Sequence, residues 1–189
     1  MDFCSFLTEN TPAGVLGTVG AWHHRAPRYS LRRLETVVRG FAPDLLCAEI
    51  NRTDWEAERP VNFSPEYREC LVPLCRELSI TVVPVGDRWR GLPSPLRLAL
   101  LLGASPGWIN SPPADRWHRA WAHLRPRLNQ ANQELVAHVL ETVQRDPGRR
   151  VLVTVRVERH YAVVGGLSRS EKVTLLSAWT STTQSTHPG

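Results

Sequence analysis

Apolar and polar positions along the chain alternate between short apolar runs and longer stretches of helical period. Ala13-Gly-Val-Leu-Gly-Thr-Val19 is an apolar run of strand length that leads into the polar Gly20-Ala-Trp-His-His-Arg25. Ser30 to Phe41 places Leu31, Leu34, Val37, Val38 and Phe41 at helical spacing, with Ser30 as N-cap and Pro43 just past the end. Asp44-Leu-Leu-Cys-Ala-Glu-Ile50 is again a strand, and Glu49, Asn51 and Arg52 lie at its far end. Strand, helix, strand of this size predicts a βαβ unit with parallel strands.

The same alternation continues. Asn51 to Phe63 reads as a polar loop, and Ser64-Pro65-Glu66 opens a second helix with an N-cap, an early proline and a first-turn acid. Tyr67, Leu71, Leu74, Cys75 and Leu78 form its apolar face, and Pro73 is positioned to kink it. Ile80 to Val85 is a third strand that ends in Gly86-Asp87; Pro84 within it costs one ladder bond. Arg88 to Pro113 is irregular around the apolar Leu96–Leu102, which predicts a short buried helix and a lid-like loop. Ala114 to Arg145 keeps a helical period divided at Pro126, and its Trp117 and Trp121 read as core positions. Val151 to Val157 is the clearest strand and delivers Glu158, Arg159 and His160. Ser168 to Trp179 carries a weak helical pattern.

These elements predict an α/β fold, a mostly parallel sheet built from βαβ units with helices packed around it. The expected organisation is a lead-in over 1–12, a single α/β domain over 13–179 and a disordered Ser/Thr-rich tail over 180–189. At 189 residues one core of ordinary size suffices. The net charge of +5 comes from arginine, since Lys172 is the sole lysine. The arginines are scattered over many segments, which favours a solvated surface over an arginine-rich nucleic-acid face. Four cysteines (Cys4, Cys47, Cys70 and Cys75) lack metal-ligand spacing and read as free thiols. No run approaches the ~20 apolar residues of a membrane span, and the first residues do not read as a secretory signal, so a cytoplasmic protein is the default expectation.

Ligands of open parallel sheets sit beyond the carboxyl ends of the strands. Thr18 with His23 or His24, Glu49 with Arg52, Asp87, and Glu158 with His160 all fall on that edge. Carboxylates and imidazoles together suit a divalent metal such as manganese, cobalt or zinc, with His23, His24, Glu49, Glu158 and His160 as candidate ligands. Without metal, Glu49 and His160 form an acid–base pair, with Arg52 as an anion clamp. The plain alternative is that strand ends are polar because they meet water, and that His23 and His24 solvate a loop.

Val15-Leu-Gly-Thr-Val-Gly20, Pro43-Asp-Leu-Leu-Cys-Ala-Glu49 and Val151-Leu-Val-Thr-Val-Arg-Val-Glu-Arg-His160 together resemble the TraB/Tiki-type domains of the erythromycin-esterase/ChaN-like superfamily. The resemblance spans about residues 13 to 165. It implies a Gly-x-x-His motif after the first strand, a glutamate ending the second with an arginine nearby, and a second Gly-x-x-His late in the chain. Glu49 and Arg52 match. The first histidine position holds Gly20; in the last motif Arg156 stands for the glycine and Arg159 for the histidine. The resemblance implies a metal-dependent hydrolase-like domain acting on a small-molecule or peptide substrate. With the histidines displaced, it also admits a non-catalytic domain that binds a ligand, such as haem, or a partner, its pocket lined by tryptophans 89, 108, 117 and 121.

Overall fold

The computed structural model describes residues 10–87, 106–123 and 126–178. Strands β1 (Thr11–Thr18), β2 (Leu45–Asn51), β3 (Thr81–Gly86), β4 (Val151–Arg156) and β5 (Val173–Leu176) form one sheet in the order β3-β2-β4-β1-β5, with every pairing parallel. The fold is α/β, as the alternation predicts. β4 lies between β1 and β2, with Val151 opposite both Ala13 and Leu45. The most apolar strand therefore occupies the centre, where both of its faces are covered.

The period of two along each strand sorts the core into two layers. Leu16, Leu46, Ala48, Ile50 and Leu152 face helix α1 (Leu31–Phe41) and the second helical segment, meeting Leu34, Val37, Val38 and Phe41 from the first and Tyr67, Leu71 and Leu74 from the second. Ala13, Val15, Leu45, Cys47, Val151, Val153 and Val155 face the other way. Two helices cover that face: Pro126–Arg145, through Leu135, Val139 and Val143, and His160–Leu167, through Val163 and Leu167. The result is three layers, helices on both faces of the sheet.

Local chemistry explains the ends of α1. The Ser30 side chain accepts from the Arg33 amide, and Ala42 closes the helix in the left-handed region at φ 49° before Pro43. After β2 the chain forms α2 (Arg52–Glu56), capped by Asn51, and a 3-10 turn at Pro60–Asn62, where a polar loop is expected. The second helix runs as a π turn over Tyr67–Leu71 into α3 (Val72–Glu77), so the disturbance at Pro73 takes the form of a bulge just before it. Pro84 sits in β3 at the edge of the sheet, beside a register shift between Ala48 and Asn51. Next come α4 (Pro106–Ile109), α5 (Pro112–His123), α6 (Pro126–Arg145) and, after β4, α7 (His160–Leu167). Helix is described up to His123 and again from Pro126; residues 124–125, where the expected division falls, lie outside the described residues.

Three expectations change. Thr11 and Pro12 belong to β1 rather than to a lead-in. The expected helix over Ser168 to Trp179 is not found over residues 168–178: Val173–Leu176 is a short strand paired with β1. Trp117 is exposed rather than core, as is Trp108. The expected helix at Leu96–Leu102, most of the lid-like loop, Trp89, the Trp121 side chain and the 180–189 tail lie outside the described residues. Cys47, Cys70 and Cys75 are free thiols. Burial pushes Cys47 and Cys75 up to about 12, which leaves them inert. Among the described residues no helix is long and apolar enough to cross a membrane.

Candidate functional site

A cleft of about 620 Å³ opens at the carboxyl ends of the strands. Its lining comes from the end of β2 (Glu49, Ile50, Asn51), from Asp54, Arg59, Asn62 and Phe63 in the following segment, and from Ser64, Glu66 and Tyr67 of the second helix. Gly20, Asp87 and Arg156 complete it. This is the edge where the sheet topology places ligands.

The loop after β1 is built by close approach. Gly17 donates its amide to the Asn110 side chain at 2.6 Å and its carbonyl accepts from the Tyr29 hydroxyl. A Cβ at position 17 would come within 2.5 Å of Asn110 Oδ1 and 3.1 Å of the Val157 Cα, so glycine permits this close approach. Gly20 takes φ 63° as the chain turns into the 3-10 segment Gly20–His24.

Beneath the cleft lies a fully buried arginine. Arg159 uses all five of its N–H donors. Nε donates to Asn132 at 2.9 Å, Nη1 to Glu49 at 3.1 Å and Asp87 at 3.3 Å, and Nη2 to Asp87 at 3.3 Å and to the Ala131 carbonyl. Glu49, its side chain only 2% exposed, also accepts the Arg156 amide at 2.6 Å and faces the Arg156 Nε at 3.2 Å. Tyr67 locks the strand ends together, accepting from the Glu49 amide at 3.0 Å and donating to the Thr154 carbonyl at 2.9 Å. Farther out, Asp54 accepts from Asn62 at 2.9 Å and pairs with Arg59 at 3.4 Å.

The candidate metal ligands do not converge. His23 is buried, and both its ring nitrogens serve the backbone: the Val19 amide donates to Nε2 at 3.1 Å, and Nδ1 donates to the Tyr29 carbonyl at 2.7 Å. These bonds fix a neutral imidazole that holds the loop. His24 is on the surface, 3.2 Å from Glu69. The His160 Nδ1 is 2.8 Å from Asp115 of α5, and His160 is not part of the cleft lining. Glu158 is buried and adds its negative charge to the surroundings of Arg156. Among the described residues no three His, Cys, Asp or Glu side chains are grouped to hold a metal ion. Glu49 and Asp87 do come together, as their strand ends suggest, but a guanidinium stands between them where a cation would sit.

Arg52 is exposed at the start of α2 and does not line the cleft, so the arginines of the site are Arg59, Arg156 and Arg159 instead. Trp108 and Trp117 are also outside the lining; the aromatic residues described in it are Tyr67 and Phe63, the latter stacked on Trp55 at 5.9 Å. Sequence reasoning did not single out Glu66, which is fully buried and accepts from the Thr18 hydroxyl at 3.0 Å. Its only sequence signal is its place as a first-turn acid. Elsewhere, Arg39, Arg68 and Arg145 pair with glutamates on the surface, which breaks up the positive charge. Comparison with protein families, with characterised proteins and with solved structures finds no match to this chain.

Proposed function

We propose that this chain is a binding domain for a small, uncharged, hydroxyl-rich molecule, held in the strand-end cleft without a metal ion. The observation that carries this reading is charge balance. Four carboxylate residues, Glu49, Asp54, Glu66 and Asp87, face three arginines, Arg59 and Arg156 in the lining and Arg159 behind it. Arg59 pairs with Asp54, Arg156 with Glu49, and Arg159 with both Glu49 and Asp87. A phosphate or carboxylate ligand needs a surplus of positive charge, and among the described residues this lining has none to offer. An ordered set of amide, carboxylate and guanidinium groups beside the face of Phe63 suits hydroxyls above an apolar ring surface.

Arg159 also accounts for the departure from the TraB/Tiki pattern. At the position of the late histidine it supplies a permanent charge to Glu49 and Asp87, the work that a metal ion would otherwise do. A metal-independent, hydrolase-like activity is the second reading, favoured by the position of Glu49 at the carboxyl end of β2 within the cleft. That carboxylate is already engaged by the Arg156 amide and by the Arg159 guanidinium, which favours binding over catalysis.

The test is a thermal-melt comparison of neutral monosaccharides, disaccharides and polyols with their phosphorylated counterparts. A neutral compound present at 100 times its dissociation constant stabilises by about 2.7 kcal/mol. The reading expects such a shift from a neutral compound, reduced in Asn62→Ala and Phe63→Ala. Stabilisation by phosphorylated compounds alone, or by none of the panel, overturns it.

A further inference from the structure

We propose that Glu66 is a protonated carboxylic acid that donates a hydrogen bond to the ligand of this cleft, so that the ligand presents a hydroxyl or ether oxygen at that point. The inference rests on the reading of the cleft as a binding site, and it gives one wall of that site a specific chemistry. Glu66 lines the cleft and is 0% exposed. One oxygen, Oε1, accepts from Thr18 at the end of β1; the other, Oε2, is buried and has no hydrogen-bond partner among the described residues. A buried carboxyl oxygen left in this state is costly unless something outside the protein completes it.

Burial, together with the neighbouring charges, decides which form is present. Glu49 comes from β2 and Arg156 from the end of β4, with Tyr29 from the loop after β1 and Tyr67 and Cys70 from Glu66's own helix. The single cation among them, Arg156, is already paired with Glu49. Burial pushes the Glu66 carboxyl above the usual carboxylate range, and the nearby Glu49 charge adds to this. Hydrogen bonding to its own backbone amide, Thr18 and Ser64 opposes it less strongly. As an acid, Glu66 has one O–H donor, and with Thr18 on Oε1 the proton belongs on Oε2, the oxygen without a hydrogen-bond partner among the described residues. An uncharged ligand oxygen is the matching group. With Glu66 neutral, the three remaining carboxylates of the cleft equal its three arginines. Glu66 and Glu49 are then a neutral and a charged carboxyl side by side, an arrangement that separates donor from acceptor roles within one site.

A diazoacetamide tests this on the full chain. The acid protonates the diazo carbon, dinitrogen leaves, and the carboxylate oxygen closes an ester, so only a carboxyl that still holds its proton reacts. An ordinary exposed glutamate is protonated to about one part in 500 at pH 7. The expected result is an ester on the Glu66 peptide by mass spectrometry at pH 7, in excess over every exposed carboxyl and absent in Glu66→Gln. Its yield stays level from pH 5 to 7, while labelling of exposed carboxyls falls about tenfold per pH unit in that range. A neutral sugar that raises the melting temperature slows the reaction. The infrared carbonyl band of a protonated carboxyl, lost in Glu66→Gln, reads the same proton without reagent access to this buried group; its absence at pH 7, or labelling that falls with pH like that of the exposed carboxyls, overturns the inference. Labelling that no neutral sugar slows overturns the binding reading and leaves the protonated acid standing, so the two failures are distinct.

Discussion

Replacing Arg159 with Met removes the charge at the centre of the site and leaves its acidic partners in place. Glu49 is the more deeply enclosed of the two, with a side chain 2% exposed against 26% for Asp87. Breaking a buried pair by removing one partner costs about 3–5 kcal/mol, because an uncompensated charge remains. Glu49 keeps its bonds to Arg156, which moves the estimate toward the lower end. Asn132 and the Ala131 carbonyl each lose a donor, which adds about 1 kcal/mol apiece. A total near 5 kcal/mol is a large share of the roughly 5–15 kcal/mol that stabilises a typical domain. Urea unfolding measures it directly. The reasoning also demands non-additivity. In Arg159→Met combined with Glu49→Gln the buried charge is gone, so the double variant should be about 1–3 kcal/mol more stable than the two single losses sum to. Arg159→Met within about 1 kcal/mol of the parent, or a strictly additive double variant, refutes the account of this cluster.

The remaining predictions concern the groups around it. Tyr67→Phe strands the Glu49 amide and the Thr154 carbonyl and should cost about 1–3 kcal/mol by urea unfolding. Gly166→Ala drives a methyl group into Val136 across the contact between α6 and α7, an overpacking worth about 1–3 kcal/mol in the same assay. Glu66 gives a pH dependence whose sign is fixed. Its folded value lies above the ordinary 4.5, so its contribution to stability is complete below that pH and is lost as pH rises toward the folded value. Glu66→Gln should therefore become more stable relative to the parent as pH increases above 4.5, which melting curves across pH will read; a flat difference contradicts it.

Most of the sheet was legible because β1, β2, β3 and β4 are apolar runs bounded by polar turns, and α1 carries its cap in the sequence. β5 was not legible: Val173–Leu176 is four residues long at the sheet edge and only partly buried, so no apolar run marks it. α7 escaped for the opposite reason. It is buried on several sides, with Tyr161, Val163, Gly166 and Leu167 all covered, and a helix without a polar face has no period to read. At the site, strand ends correctly brought Glu49 and Asp87 together. What each histidine does depends on partners distant in space, such as Asp115 for His160. Arg159 stood out in sequence only as a departure from a motif. Its role appears once the loop that follows β4 passes beside Asp87, Glu49 and Asn132.

The central claim, that an internal guanidinium fills the cation position between Glu49 and Asp87, is tested most directly by metal binding. Untagged protein is assayed for bound metal and then titrated with manganese, cobalt and zinc under thermal-melt readout. The account predicts no stoichiometric ion and no melting shift that depends on Glu49. An ion near one per chain, lost in Glu49→Gln, would contradict it.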